Sequence, residues 1–339
     1  MMQAERTLMA TEAAGGGQAV ADFLSANGAE LERLGRELRA GPPPVVVTCA
    51  RGSSDHAATY FKYLVEVLIG LPVASAAPSV SSIYDARVAP GSALLLAISQ
   101  SGRSPDLLAT VAAYRQAGAR IVALVNDETS PLAQQADHCL PLKAGPELSV
   151  AATKSYIASL AGAAALVGHW AQDRALLDAL DRLPAALETA HDLAPFDMPG
   201  ALGQSPNLFV IGRGFSFGIA QEGALKLKET SGLHAEAYSA AEVRHGPMAI
   251  VGEGFPVIGF ACSDASGDSV RSAAAEFAGR GAHVQLLDAA DGLAQAAGHP
   301  ALEPILMIQA FYPQVNALSL SRGFDPDRPV HLKKVTETR

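Results

Sequence analysis

The chain has 339 residues, a formal net charge of −9 and a pI near 5.5, with 49% hydrophobic and 17% charged residues. That length accommodates two domains with separate cores, and the apolar fraction excludes an intrinsically disordered chain. The acidic balance argues against nucleic acid as a partner, and no apolar run approaches the about 20 residues of a membrane-spanning helix. Met1-Met2-Gln3-Ala4-Glu5-Arg6 lacks the basic start and apolar core of a signal peptide. Cys49, Cys139 and Cys262 are odd in number and far apart, which suits packing residues in a reducing cytoplasm better than a disulfide framework or a metal site.

Residues 1–40 read as lead-in helices broken at Gly15-Gly16-Gly17. A strand, Val45–Ala50, then ends at Arg51-Gly52-Ser53-Ser54, and a helix follows with its apolar residues from Tyr60 to Leu68. The next strand, Ala93–Ile98, runs into Ser99-Gln100-Ser101-Gly102-Arg103-Ser104-Pro105, with a helix from about Asp106. A third, Ile121–Val125, stops at Asn126-Asp127, and Tyr156–Gly168 reads as a buried helix. Residues 170–198, with Pro184 and Pro195, form a helical connector and linker. Strands recur at Leu208–Ile211, before Gly212-Arg213-Gly214-Phe215-Ser216; at Pro256–Ala261, before Cys262-Ser263-Asp264; and at Val284–Leu287, before Asp288.

The second half therefore repeats the order of the first. Arg213 follows Arg51 by 162 positions, and His283 follows Ile121 by the same 162. A constant offset across separate elements points to duplication of one α/β unit, each a parallel sheet with helices on both faces.

In open parallel sheets, ligands sit at the carboxyl ends of strands near a topological switch point. The turn Ser99–Pro105 fits a phosphate, because small hydroxyls and backbone N–H groups at a helix start offer many donors in little space. Ser53 and Ser54 add the same chemistry one strand away. Capping of the following helices is the alternative explanation of such turns. No Gly-x-x-x-x-Gly-Lys-Ser/Thr loop occurs, and Gly212-Arg213-Gly214 lacks the third glycine and distal acid of a dinucleotide site.

The densest chemistry lies between residues 222 and 247: Glu222, Lys226, Lys228, Glu229, His234, Glu236, Tyr238, Glu242, Arg244 and His245. Glu222, Lys226 and Glu229 stand at i, i+4 and i+7, so on a helix they share a face. A solvated ion-pair ladder would show the same spacing, and His234 and Tyr238 read equally well as structural residues.

Several of these motifs together are identified with one family. Ser99-Gln100-Ser101-Gly102, Val150-Ala-Ala152-Thr153-Lys154, Glu222-Gly-Ala-Leu-Lys226-Leu-Lys-Glu229, His234-Ala-Glu-Ala-Tyr238, Arg244-His245-Gly-Pro247 and Leu332-Lys333-Lys334-Val335-Thr336 resemble the sugar isomerase (SIS) double domain. Within it they are most similar to the isomerase half of glucosamine-6-phosphate synthase and to the type II glucosamine-6-phosphate deaminases, over about residues 30–339. The resemblance implies two flavodoxin-like SIS subdomains and the following boundaries: a helical lead-in (1–40), subdomain 1 (41–170), a connector and linker (171–198), subdomain 2 (199–325) and a tail carrying an active-site lysine (326–339).

It also implies a sugar 6-phosphate as small-molecule ligand, bound by Ser99, Gln100, Ser101 and Ser104 with Ser53, Ser54, Val150 and Ala152 nearby, in a homodimer with composite sites. By the same resemblance, Glu229 is the base that moves a proton between C1 and C2. His245, reaching in from the neighbouring subunit, opens the sugar ring. Lys334 forms a Schiff base with the open-chain ketose, Lys226 supports the catalytic carboxylate, and Glu222 is a further site carboxylate. These roles need no metal and no cofactor, nucleic acid or membrane.

The expected reaction is glucosamine 6-phosphate to fructose 6-phosphate plus ammonia. Another phosphosugar isomerase, a fructosamine-phosphate deglycase or a non-catalytic sugar-phosphate sensor shares the motifs. A DNA-binding sensor is disfavoured, because residues 1–40 are too short and too weakly basic for a helix-turn-helix. The departures are Ala152 where the synthase has Ser, Arg103 where it has an acid, and no cysteine before Cys49. Glutamine-dependent synthesis is accordingly not expected, and Arg103 is expected to place a cation beside the phosphate turn.

Overall fold

The computed structural model describes residues 7–89 and 91–334. They divide into two compact units, an amino-terminal one (residues 18–146 and 155–180) and a carboxy-terminal one (residues 7–17, 147–154 and 181–334).

The amino-terminal unit is built on β1 (Val46–Cys49), β2 (Val73–Ser75), β3 (Leu94–Ser99), β4 (Arg120–Val125) and β5 (His138–Pro141). All are parallel, in the order β2-β1-β3-β4-β5. That is the flavodoxin-like order, with its switch point between β1 and β3. Every residue of β1 and β3 is buried, as helices on both faces require. Alternate residues Val47, Cys49, Leu95, Ala97, Ile121, Ala123 and Val125 form one core face with Leu107 and Val111 of the helix Pro105–Gln116. The Ala- and Gly-rich helix Lys154–Ala171 approaches closely elsewhere. A Cβ at Gly162 would lie 2.9 Å from the Phe23 ring and 3.0 Å from Leu124.

The carboxy-terminal unit repeats the design with β6 (Asn207–Gly212), β7 (His234–Ser239), β8 (Pro256–Ala261) and β9 (His283–Asp288), parallel in the order β7-β6-β8-β9. This is the first sheet's order without a fifth strand among the described residues. Phe209, Ile211, Val257, Ala261, Val270, Ala273 and Phe277 pack between the sheet and the helix Ala265–Gly279.

Two flavodoxin-like α/β units, each a parallel sheet sandwiched by helices, are thus what the chain forms. Three strands carry no apolar run of their own. β2 has three residues; β5 and β7 are edge strands of mixed polarity, and β7 alternates His234 and Glu236 outward with Ala235 inward. The glycine run also acts more sparingly than its composition suggests. Gly15 caps the helix Leu8–Ala14, and Gly16 already begins the helix Gly16–Ala40.

Candidate active site

β1 and β3 pair with Cys49 opposite Ala97, so the turns that follow them open side by side at the switch point. Ser99 ends β3 buried, and its Oγ accepts the Gly102 N–H at 2.9 Å. Gly102 has φ +63°, and a Cβ there would meet Ser130 Oγ at 2.3 Å. Glycine is therefore required for the turn to fold back beneath its own N–H groups. Ser104 occupies the N-cap of Pro105–Gln116 without a side-chain cap bond, and Gln100 and Ser101 are half-buried. Ser53 and Ser54 begin the helix Ser53–Leu68 and are likewise half-buried. Arg51 joins the two turns, its guanidinium donating at 2.6 and 2.9 Å to the buried carboxylate of Asp106 in the helix after the serine turn. Arg103 is engaged rather than loose, donating to Asp127 at 2.7 Å. Hydrogen bonds from the Thr129 hydroxyl and from Arg103 hold the Asp127 carboxyl below its usual range.

In the carboxy-terminal unit the helix Phe217–Ser231 carries Glu222, Lys226 and Glu229 on one face, as their spacing implies. The face is no solvated ladder: the side chains of Glu222 and Lys226 are 0% and 1% exposed. Lys226 Nζ lies 2.5 Å from Glu229 Oε2 and 3.4 Å from Glu222 Oε1. Burial pulls the ammonium down, but the two carboxylates outweigh it and its pKa lies above the ordinary lysine value. Glu229 keeps 19% of its side chain exposed and is the member open to a ligand.

His245 is exposed at the end of the 3₁₀ turn Glu242–His245, and no hydrogen bond or ion pair joins it to Glu229 among the described residues. His234 is exposed on β7, while the Tyr238 ring stacks edge-on against Phe209 with centroids 5.0 Å apart. Arg244 pairs with Glu276 at 3.0 Å.

Lys334, solvated by composition, is held in place. Its Nζ donates to the Ser149 carbonyl at 2.6 Å and lies 3.3 Å from Glu147 Oε2. Glu147 is fully buried and accepts the Thr153 N–H at 3.0 Å on its other oxygen. Val150 and Ala152 lie between these anchors, both half-buried. Glu12, from the helix Leu8–Ala14, accepts the N–H groups of Leu148 and Ser149. Burial and then the neighbouring Glu147 charge raise the Glu12 pKa, against the lowering effect of the Leu148 hydrogen bond.

Sequence reasoning missed Glu147 and Glu12. The one signal was an acidic residue just ahead of the Val150–Lys154 motif, and nothing in the sequence paired it with a lysine 187 positions away.

A pair of duplicated flavodoxin-like units with a hydroxyl-rich turn at one switch point and a buried acid–lysine–acid face on the other defines the class. The SIS domain model matches residues 44–168 and 201–297, and the chain belongs to the SIS domain family. It is 32% identical over 304 residues to a glutamine–fructose-6-phosphate aminotransferase (isomerizing) of Sulfolobus acidocaldarius, covering 85% of this chain and 49% of that one. It is 35% identical over 309 residues to the Halobacterium salinarum protein of that name, covering 85% and 51%. The chain thus spans about half the length of the curated relatives it matches. A crystal structure from Silicibacter pomeroyi DSS-3, described as a candidate phosphosugar isomerase, superposes with a TM-score of 0.88 at 44% identity, covering 95% of this chain and 100% of that one. The C-terminal domain of glucosamine-fructose-6-phosphate aminotransferase from Francisella tularensis shares the fold, with a TM-score of 0.83 at 24% identity over 97% of this chain and 100% of that one.

Proposed function

We propose that the chain is a phosphosugar aldose–ketose isomerase that also releases ammonia, converting glucosamine 6-phosphate and water to fructose 6-phosphate and ammonia. The observation that carries this is Glu229, a partly exposed carboxylate held 2.5 Å from a buried ammonium. Carrying a proton from C2 to C1 requires one fixed carboxylate that reaches both carbons. Lys226 fixes Glu229 from behind and leaves its outer edge to the ligand. Ser99, Gln100, Ser101 and Ser104, with Ser53 and Ser54, bind the phosphate.

His245, exposed, supplies the proton transfer that opens the ring, and in the homodimer this reading requires it serves the neighbouring copy. Isomerisation of the open amino-aldose gives the 2-imine of the ketose. The Lys334 amine adds at C2 and expels ammonia, and water then hydrolyses the lysine imine to the ketose and restores the amine. Similarity to the phosphosugar relatives named above supports the substrate class.

Ammonia release and fructose 6-phosphate formation from glucosamine 6-phosphate test the reading, with a fructosamine 6-phosphate assayed beside it. Glu229→Gln lowers kcat by about 10²–10⁴ with sugar phosphate binding retained. A fully active Glu229→Gln chain refutes the assignment. Activity on the fructosamine phosphate alone replaces it with a deglycase.

A further inference from the structure

The duplication places residues of the two switch-point turns in correspondence. At the offset of 162, Ser54 matches Ser216, Ser101 matches Ser263, Gly102 matches Asp264 and Ser104 matches Ser266. These three hydroxyls recur in both turns, whereas Ser99 and Ser53 match Ala261 and Phe215; what the recurring hydroxyls bond to differs. In the amino-terminal unit the hydroxyls of Ser54, Ser101 and Ser104 donate to no acceptor among the described residues. In the carboxy-terminal unit all three counterparts are spent.

Ser216 is fully buried, and its Oγ lies 2.8 Å from the Phe260 carbonyl. Ser263 turns both of its donors onto one carboxylate, the N–H to Glu303 Oε2 at 2.7 Å and the hydroxyl to Oε1 at 2.5 Å. Ser266 Oγ lies 2.6 Å from Asp264 Oδ1, which also accepts the N–H groups of Ser266 and Gly267. Glu303 is 1% exposed, and burial raises its pKa against the lowering effect of Ser263.

The backbones differ for the same reason. Gly102 takes φ +63°, whereas Asp264 takes φ −81° and caps its helix with its own side chain. A carboxylate bonded by an N–H and an O–H at a helix start makes the contacts a phosphate oxygen would make. An internal group also competes at an effective concentration that a diffusing anion does not match.

We propose that the carboxy-terminal unit contains a second anion-binding turn whose donors are occupied by two internal carboxylates, Glu303 and Asp264, so that the chain takes an anionic ligand at the Ser99–Ser104 turn alone. The second clause rests on the phosphate role given above to that turn; the first does not.

Inorganic phosphate titrated into the full chain by calorimetry tests this. The wild type binds one phosphate per chain. Ser101→Ala weakens it about tenfold, the loss of one charge-assisted hydrogen bond, and Ser263→Ala leaves it unchanged. Asp264→Gly with Glu303→Ala gains a second site that persists when Ser101→Ala is added. The milder Asp264→Asn with Glu303→Gln keeps the side-chain shapes, removes both charges and gains the second site more weakly. Two sites in the wild type, weaker binding in Ser263→Ala, or one site in double variants with wild-type circular dichroism each overturn the proposal. A wild type that binds no phosphate beside a double variant that binds one overturns the role of Ser101 and leaves the occupied turn standing.

Discussion

Replacing Lys226 with Met removes the cation from between two carboxylates while keeping most of the side-chain volume. The ammonium is 1% exposed, 2.5 Å from Glu229 and 3.4 Å from Glu222, which is itself 0% exposed. Removing one partner of a buried ionic set costs about 3–5 kcal/mol, because the opposite charge stays in a medium that solvates it poorly. Against a usual total of about 5–15 kcal/mol, that is a large share of the stability. The sign of the Lys226 shift also fixes how the cost varies with pH. In the wild type the two carboxylates raise the Lys226 pKa above its ordinary value of 10.5 against the opposing effect of burial. A raised ammonium pKa contributes stability that is fully present below the unfolded value and lost as pH rises through the folded one, so the deficit of the variant is steady across neutral pH and shrinks only in strong alkali. Urea unfolding at several pH values between about 5 and 8 measures both effects, with midpoints compared at constant m-value. A Lys226→Met chain within about 1 kcal/mol of the wild type at every pH would assign the triad the energetics of an exposed ion-pair ladder and refute the reasoning.

Glu147→Gln keeps an acceptor for the Thr153 N–H but removes the charge 3.3 Å from Lys334. It lowers kcat about 10–100-fold and shifts the pH–rate profile with KM little changed; an unaltered profile removes Glu147 from the lysine's chemistry. Gly102→Ala forces a left-handed residue against Ser130 at 2.3 Å and costs about 2–4 kcal/mol, read as the shift in thermal midpoint. A change below about 0.5 kcal/mol shows that the turn relaxes freely. Asp288 accepts from Arg271 Nε at 2.6 Å and from Nη2 at 2.7 Å, which holds its carboxyl below the usual range despite partial burial. Its contribution is present above the unfolded pKa and is lost as pH falls through the lower folded one. Asp288→Asn therefore costs about 1–3 kcal/mol at neutral pH and less in acid, read from urea midpoints.

What the sequence disclosed follows from where the signal was local. Continuous apolar runs announced β1, β3, β4, β6 and β8, because strands covered on both faces carry no alternation to obscure them; β9, an edge strand with only Leu287 buried, was legible from Val284, Leu286 and Leu287. The 162-residue offset announced the duplication. The other edge strands, β2, β5 and β7, escaped because one side is solvated and their composition is that of loops. At the candidate site the i, i+4, i+7 spacing of Glu222, Lys226 and Glu229 revealed a shared face but not its burial, since an exposed ladder has the same period. The roles of Lys334 and of its anchors, Glu147 and Ser149, depend on a contact between distant segments that no periodicity encodes. The sequence places Arg103 as a cation beside the serine turn but not its partner Asp127, which follows the next strand and comes within reach only in the fold.

The first helix has a consequence for anyone who handles this protein. The N–H groups of Leu8 and Met9 both donate to the Asp327 carboxylate at 2.7 Å, and Thr7 donates to Asn316. Glu12, one turn on, accepts the N–H of Ser149, the residue whose carbonyl anchors Lys334. The helix Leu8–Ala14 is therefore a strut for Lys334. A purification tag cut back too far, or a trimmed expression clone starting at residue 18, would leave the amino-terminal unit its full sheet yet remove the brace beneath Lys334. Such a preparation would look well folded by bulk spectroscopy and, with the role proposed above for Lys334, would turn over more slowly than the untrimmed chain.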